Sequence, residues 1–208
     1  MGLVGLPNVG KSSTFNVLSN LSVPAENYPF CTKEPSEARV WVPDKRFEKL
    51  CETYNPKSKV AAQITVYDIA GLVSGASEGA GLGNAFLSHI MRVDGIYHVV
   101  RAFPDLDIIH EEGDVNPERD MDIIHGEMIA KDKQMLNKKM EEVDTLIKRK
   151  ATKELKEEKE ILTKIEAYLD KGVNVRDGDW TTKEIEYLNT AIYFTSKPVI
   201  YLANIGRD

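Results

Sequence analysis

Short apolar runs alternate with amphipathic segments along the first half of the chain. The runs "MGLVG", "AAQITVYD" and "GIYHVVRAF" read as strands, and the last has no polar alternation, which is typical of a strand buried on both faces of a parallel sheet. The segments "GKSSTFNVLSN", "KRFEKLCETY" and "NAFLSHIMRV" have helical spacing. Strand and helix therefore alternate, and this order predicts an α/β fold with a mainly parallel sheet. The segment "SEARVWVP" predicts a further strand, which Pro43 assigns to a sheet edge, and Asp44 is a candidate cap for the helix that follows.

The pattern changes after Asn116 and Pro117, which together predict the start of a helix. More than half of residues 131–171 are charged, and two narrow apolar seams run through them at spacings of three, four and seven. The seam positions are Leu136, Met140, Val143 and Ile147, followed by Leu155, Leu162, Ile165 and Leu169. They predict an antiparallel helical pair in coiled-coil style, inserted as an arm into the α/β domain. One long solvated helix is the alternative, and Thr152, a candidate cap near "RKATKE", favours two helices.

A capping box formed by Thr181 and Glu184 predicts one more short helix, and "PVIYLAN" predicts a return to a buried strand. These patterns divide the chain into three parts. Residues 1–115 form the α/β domain, residues 116–195 form the helical insertion, and residues 196–208 form a return strand of the first domain.

Charge and composition exclude several classes of protein. The chain has 208 residues and a net charge of -6, which argues against coating nucleic acid by bulk electrostatics, so no direct DNA binding is expected. No apolar run approaches the ~20 residues needed to span a bilayer, and no signal peptide is found, so no membrane partner is expected. Cys31 and Cys51 are too few and too far apart for a disulfide framework or a zinc site, and we interpret them as reduced thiols of a cytoplasmic protein.

The segment Gly5-x-x-x-x-Gly10-Lys11-Ser12 matches the P-loop pattern in full and lies between a predicted strand and a predicted helix. Glycines allow the backbone to wrap phosphates with its N–H groups pointing inward at a helix N-terminus. Lys11 is expected to reach the β- and γ-phosphates, and the Ser12 hydroxyl is expected to bind Mg²⁺. The pattern therefore predicts a nucleoside-phosphate site.

Two further segments are candidates for the magnesium shell. Asp68 and Gly71 form a D-x-x-G motif after a strand, where the aspartate would hold Mg²⁺ directly or through water and the Gly71 N–H would sense the γ-phosphate. Thr32, the only threonine in "NYPFCTKEP", is a candidate to complete the shell when the γ-phosphate is present. An ordinary loop hydroxyl is the alternative for Thr32.

The end of the chain is expected to read the base. Guanine-reading P-loop proteins use N-K-x-D there, whereas this chain has Asn204, Ile205, Gly206 and Arg207. Arg207 stands where guanine needs an acceptor, and unpaired buried polar groups cost about 1–3 kcal/mol each. The Asn204 amide can serve N6 and N7 of adenine together, so the pattern favours ATP. A slip of one residue would instead bring Asp208 to the base and favour GTP.

Hydrolysis needs a group that positions the attacking water. Leu72 stands where Ras-like proteins have the glutamine that orients this water, so hydrolysis is expected to be slow or to use another group. Asn8 is a candidate to help hold a monovalent cation such as K⁺, which would supply charge at the phosphates. His110, in the polar segment "PDLDIIHEEGDVNP", is a candidate to position the water, and a surface histidine with no such role is the alternative.

Taken together, these segments resemble the Obg-like ATPases, the YchF subfamily of translation-factor-related P-loop proteins. The resemblance runs over the whole chain, through "GLPNVGKSS", "NYPFCT", "DIAGLVSGASEGAGLGNAFLSHI", "HVVRAF" and "TSKPVIYLAN". It implies an adenine preference, a hydrophobic residue at Leu72, a helical coiled-coil insertion and association with ribosomes, on the large subunit. The family continues past this point with a further strand and helix and a small TGS domain, so the chain is expected to be a truncated nucleotide domain.

The resemblance also implies roles for individual residues. It makes Ser12 and Thr32 the Mg²⁺ ligands, Asn204 and Ile205 the base contacts, and Phe103 the aromatic side chain near the adenine. The phosphate loop would consist of Asn8, Val9, Gly10, Lys11, Ser12 and Ser13. The family usually reads N-x-x-E, and this chain departs from that pattern with Arg207.

The sequence therefore predicts a Mg²⁺-dependent P-loop ATPase that hydrolyses ATP slowly and acts as a switch near the ribosome. A GTPase switch is the first alternative, and it requires Asp208 to read guanine. A non-hydrolysing ATP sensor or scaffold is the second, and in it Leu72 removes the chemistry while the arm binds partners.

Overall fold

Five strands of the described residues form one sheet, and strands alternate with helices as the sequence predicts. The structure is a computed structural model that describes residues 1–20, 36–69, 71, 88–105 and 107–206. The strands are β1 (Gly2–Val4), β2 (Ser36–Trp41), β3 (Gln63–Asp68), β4 (Ile96–Arg101) and β5 (Val199–Asn204), in the spatial order β2-β3-β1-β4-β5. All neighbours are parallel except β2 and β3, which are antiparallel. The predicted mainly parallel sheet is confirmed, and so is the edge position of the strand before Pro43.

The helices are α1 (Lys11–Ser19), α2 (Lys45–Tyr54), α3 (Pro117–Arg149), α4 (Lys153–Asp170) and α5 (Thr182–Thr190). Four of them begin at the caps that the sequence predicts. The capping side chains are those of Asp44, Asn116, Thr152 and Thr181, and each accepts a hydrogen bond from a backbone N–H of the first turn. Such a cap contributes about 1 kcal/mol to helix stability. Residues 88–91 are also helical.

The helices α3 and α4 form an antiparallel pair. Ion pairs join Lys133 to Asp170 and Lys159 to Asp144, so the early part of one helix faces the late part of the other. The buried seam between them consists of Leu136, Val143, Leu162, Ile165 and Leu169. The alternative of one long helix is therefore wrong, because the Thr152 cap begins a second helix. Within the described ranges, no helix is both long and apolar enough to cross a membrane.

The long helix α3 contributes to two separate hydrophobic cores. Ile124 and Met128 belong to the core that covers the sheet, whereas Leu136 and Val143 belong to the core of the arm. At 1.5 Å per residue the helix is about 50 Å long. The predicted division at residues 115 and 116 assigns all of α3 to the insertion, but its first turns are packed as part of the α/β domain.

A buried carboxylate joins α3 to the segment that precedes β5. Asp132 accepts hydrogen bonds from the Phe194 N–H (2.7 Å), the Thr195 N–H (2.8 Å) and the Thr195 hydroxyl (2.7 Å). Burial raises the pKa of Asp132 to about 6, although these hydrogen bonds act in the opposite direction. The Asp132 side chain thus fixes the segment before β5 against α3. Its carboxylate is removed from water in this position, which is why its pKa is raised.

We expect Asp132 to make the stability of the fold depend on pH. Between about pH 4 and pH 6 the native state binds the Asp132 proton more tightly than the unfolded state, so the free energy of unfolding falls as the pH rises through this window. Relative to Asp132→Asn, which lacks this titration, the wild type should lose about 2 kcal/mol between pH 4 and pH 7. Urea unfolding of both proteins across this range measures the difference. A difference that does not change with pH would contradict the prediction.

Candidate nucleotide-binding site

The P-loop connects β1 to α1 and is shaped by Gly10. This glycine has a φ of 102°, in the left-handed region, and a Cβ atom built on it would lie 2.4 Å from the Asn204 Nδ2. Glycine is therefore required both by the backbone and by the close approach of the last strand. Val9 is buried beneath the loop, and Ser13 is exposed in the first turn of α1. The loop leads directly into the N-terminus of α1, a position that favours anions and at which the sequence predicts the phosphates.

Lys11 lies within the P-loop with only 7% of its surface exposed. Its Nζ donates a hydrogen bond to the Leu6 carbonyl oxygen at 2.7 Å. This contact holds the ammonium group close to the loop backbone, where a cation attracts the phosphate oxygens of a nucleotide.

Ser12 and Asp68 meet where α1 begins and β3 ends. The Ser12 hydroxyl donates to the Asp68 Oδ2 at 2.5 Å, and Asp68 is fully buried. The Asp68 Oδ1 is buried without a hydrogen-bond partner in the described part of the chain. Burial raises the pKa of the Asp68 carboxyl, and the Ser12 hydroxyl and the Lys11 ammonium act in the opposite direction. A hydroxyl beside an unsatisfied carboxylate oxygen is a donor set that suits Mg²⁺, a hard cation that takes oxygen ligands.

The glycine of the D-x-x-G motif lies against the P-loop. A Cβ atom built on Gly71 would lie 2.8 Å from the Pro7 nitrogen, so only glycine allows this approach. The two nucleotide motifs are therefore in contact although they are far apart along the chain. Thr32 and Leu72 lie outside the described residues, so their predicted roles stay predictions.

A cavity of about 680 Å³ lies beside the P-loop at the ends of β4 and β5. It brings together Phe103, Asn204 and Ile205, the three residues that the sequence assigns to the base. The other lining residues are Ala102, Pro104, Asp105 and Gly206. Ile205 is 73% exposed, which suits a side chain that covers a planar ligand. Arg207 and Asp208 lie outside the described residues.

Asn204 makes a contact that the sequence analysis did not anticipate. Its Nδ2 donates to the Val9 carbonyl oxygen at 3.0 Å, so the last strand is joined directly to the P-loop. An amide nitrogen carries two hydrogens, and one of them remains for a base. Asn204 therefore has a structural contact in addition to the base contact predicted for it.

Sequence reasoning missed Arg101, which organises the loop beside the cavity. This arginine is only 1% exposed, and its guanidinium donates to the carbonyl oxygens of Phe103 (3.1 Å), Asp105 (2.9 Å) and Ile108 (3.0 Å). Its guanidinium also lies over the Phe103 ring, 4.8 Å from the centroid. The one signal in the sequence is a charged residue at the end of an otherwise apolar buried strand.

His110 lies near the P-loop but does not face it. The preceding residue contacts the loop, because the Asn8 Nδ2 donates to the Ile109 carbonyl oxygen at 3.0 Å. The His110 side chain itself is buried against α3, where its Nε2 lies 2.8 Å from the Asp120 Oδ2. The surface position that the alternative gave to His110 is therefore wrong, whereas the role of His110 in hydrolysis stays a prediction. In the arrangement described, the ring is directed at a carboxylate of the arm helix.

The fold and this site define a P-loop nucleotide-binding protein. The model of the family described as "50S ribosome-binding GTPase" matches residues 1–138. The chain therefore belongs to this family, and the resemblance to the Obg-like ATPases (YchF) is confirmed by its relatives.

Those relatives match the whole of this chain. Obg-like ATPase 1 of Oryza sativa subsp. indica is 52% identical over 100% of this chain and 52% of its own length. Obg-like ATPase 1 of Homo sapiens is 51% identical over 100% of this chain and 53% of its own length. The solved structure of the Schizosaccharomyces pombe YchF GTPase has a TM-score of 0.78 at 50% identity, over 99% of this chain and 56% of that one. The chain thus spans about half the length of the relatives it matches.

We expect Gly10→Ala to weaken nucleotide binding. The alanine would have to adopt a left-handed backbone conformation, which destabilises the loop by about 1–2 kcal/mol. Its Cβ would also displace the Asn204 Nδ2 from the Val9 carbonyl oxygen. Nucleotide affinity should fall at least tenfold, and the free energy of unfolding should fall by about 1–3 kcal/mol. Calorimetric titration and urea unfolding measure the two effects.

Gly126→Ala is the matched control, because nothing lies within 4 Å of a Cβ at this position of α3. There the same change should leave nucleotide affinity unchanged and stabilise the helix by about 0.5–1 kcal/mol. Wild-type affinity in Gly10→Ala would show that the close approach of Asn204 does not shape the binding loop.

Proposed function

We propose that the chain binds Mg²⁺ and ATP and hydrolyses ATP slowly to ADP and phosphate. The observation that carries this proposal is the contact between Ser12 and Asp68, with its unsatisfied carboxylate oxygen, beside the P-loop. Ser12 and Asp68, with Thr32, would hold Mg²⁺, which neutralises charge on the phosphates when bound. Lys11 would contact the β- and γ-phosphates, and the Gly71 N–H would contact the γ-phosphate.

Adenine is the base we propose, and the cavity beside the P-loop supports it. Phe103 offers an aromatic face, Ile205 offers an apolar one, and the Asn204 amide offers a donor and an acceptor to the adenine edge. Arg207, two residues after Ile205, has a side chain that carries only donors and cannot accept from guanine.

GTP is the second candidate, and one observation favours it. The lining of the cavity includes Asp105, whose side chain is a carboxylate of the kind that guanine's N1–H and 2-amino groups need. The Asp105 Oδ1 accepts from the Asp107 N–H at 2.9 Å, and the Oδ2 remains to accept from a base. In this alternative Asp105, or Asp208, reads guanine.

For hydrolysis we propose that His110 positions the attacking water in place of the glutamine that Leu72 replaces. The support is the position of its loop, since Ile109 contacts Asn8 of the P-loop. His110 would have to leave Asp120 to reach the water. We also propose that Asn8 helps to hold K⁺ through its side-chain oxygen. A non-hydrolysing ATP sensor is the alternative if His110 does not act.

We further propose that the nucleotide state controls association with the large ribosomal subunit, in the cytoplasm. The support is the family to which the chain belongs, whose description names 50S ribosome binding. The helical arm formed by α3 and α4 is the part of the chain we expect to contact a partner, because its outer faces are highly charged.

Calorimetric titration with ATP and with GTP, each with excess Mg²⁺, tests the base preference. We expect ATP to bind at least tenfold more tightly, which corresponds to about 1.4 kcal/mol, because Arg207 cannot satisfy guanine. Tighter binding of GTP would contradict the proposal. In that case Asp105→Asn identifies the carboxylate that contacts guanine. The GTP preference should be lost if Asp105 accepts from guanine, and it should be unchanged if Asp208 does.

Two substitutions separate binding from hydrolysis. Lys11→Ala should abolish nucleotide binding, because it removes the cation of the P-loop, whereas Lys57→Ala, at an exposed position, should not. His110→Ala should spare binding and slow single-turnover hydrolysis by about 100-fold or more, since a positioned general acid or base contributes about 10²–10⁴-fold. The measurement is made with and without K⁺ and ribosomes. A wild-type rate in His110→Ala would show that our assignment of His110 is wrong.

A further inference from the structure

The side chain of His110 is held by the first turn of the long helix α3. Its Nε2 lies 2.8 Å from the Asp120 Oδ2, and the two side chains are only 3% and 1% exposed. The other ring nitrogen, Nδ1, accepts a hydrogen bond from the Glu112 backbone N–H at 3.2 Å. A nitrogen that accepts carries no hydrogen, so Nε2 carries it and donates to the carboxylate.

Both nitrogens of His110 therefore have a partner within the protein. A histidine that positions water needs one ring nitrogen directed at that water. In the arrangement described, neither nitrogen meets this requirement, because one is bonded to Asp120 and the other to Glu112. The ring is thus in a conformation that does not support hydrolysis.

The backbone of the same loop already lies beside the P-loop. The Asn8 Nδ2 donates to the Ile109 carbonyl oxygen, and consecutive Cα atoms are about 3.8 Å apart. The backbone of His110 is therefore close to the phosphate site while its side chain faces α3. The contact with Asp120, rather than a distant position of the loop, is what keeps the ring away.

Asp120 is itself fixed at the start of the arm helix. Its Oδ1 accepts from the Arg119 guanidinium at 3.3 Å, and Arg119 also donates to the carbonyl oxygen (2.6 Å) and the carboxylate (2.5 Å) of Asp114. Asn116 caps the same turn. The carboxylate that holds His110 thus moves with the first turn of α3.

We propose that Asp120 is a positioning residue that restrains hydrolysis by holding His110 away from the nucleotide. This inference rests on the proposed function, in which His110 positions the attacking water. Release of His110 from Asp120 permits hydrolysis, and the first turn of α3 sets how readily this release occurs. The helix continues into the arm, so a partner that displaces α3 would change the rate of hydrolysis.

Single-turnover hydrolysis of ATP by the 208-residue chain, with excess Mg²⁺, tests the inference. Asp120→Ala should raise the rate about three- to tenfold, since a population shift of this size follows from the loss of one buried hydrogen bond. The affinity for ATP should be unchanged, because Asp120 is buried in α3 against His110 and Arg119 and not in the P-loop. Asp120→Asn should give a smaller rise, since its amide oxygen still accepts from Nε2.

The matched control is Asp122→Ala, on the same turn of α3 but exposed, which should hydrolyse ATP at the wild-type rate. The decisive comparison uses the His110→Ala background. If Asp120 acts through His110, adding Asp120→Ala to His110→Ala should change nothing, so the two effects are not additive.

Three results would overturn the inference. They are an unchanged or lower rate in Asp120→Ala, the same rise in the His110→Ala background, and a change in ATP affinity that accounts for the rate. If Asp120→Ala does not fold, Asp120→Asn decides, and an unchanged or lower rate there overturns the inference. Failure of the proposed function is distinguished by His110→Ala alone, which would then hydrolyse ATP at the wild-type rate.

Discussion

The whole site depends on the parallel arrangement of four strands. The strands β1, β3, β4 and β5 run in the same direction, so their carboxyl ends meet at one edge of the sheet. The residues at or just after these ends are Gly5, Asp68, Arg101 and Asn204. Each of them begins or supports a loop of the site. The carboxyl edge of the strands is the general position for ligands in open parallel sheets. A shift in the register of any one strand would therefore separate groups that must act on one nucleotide.

Contacts between these loops then make the edge of the sheet a single unit. Asn204 donates to Val9, Gly71 packs against Pro7, and Asn8 donates to Ile109. The phosphate loop is consequently in contact with the segment after β3, the segment after β4 and the end of β5. A displacement at one of these places would therefore displace the others, because close-packed neighbours cannot move independently.

The long helix α3 gives the molecule its second organising feature. Its first turns cover the sheet and hold His110 through Asp120, and its later turns form the arm with α4. Between the two, Asp132 fixes the return segment that leads into β5 and so toward the cavity beside the P-loop. One continuous helix thus contacts both the loop that carries His110 and the segment that leads into β5, so it joins the arm to two parts of the α/β domain that border the candidate site.

The sequence alone determined the features that depend on neighbours along the chain. The P-loop, the D-x-x-G motif, the four helix caps and the two seams of the arm are local patterns, and local geometry dictates each of them. The tertiary structure alone decided which polar groups meet. Arg101 on the loop after β4, Asn204 on Val9, Asp132 on Thr195 and His110 on Asp120 are contacts between buried or half-buried polar groups. Periodicity reports which face of an element is buried, but it does not report the partner that a buried polar group must find there.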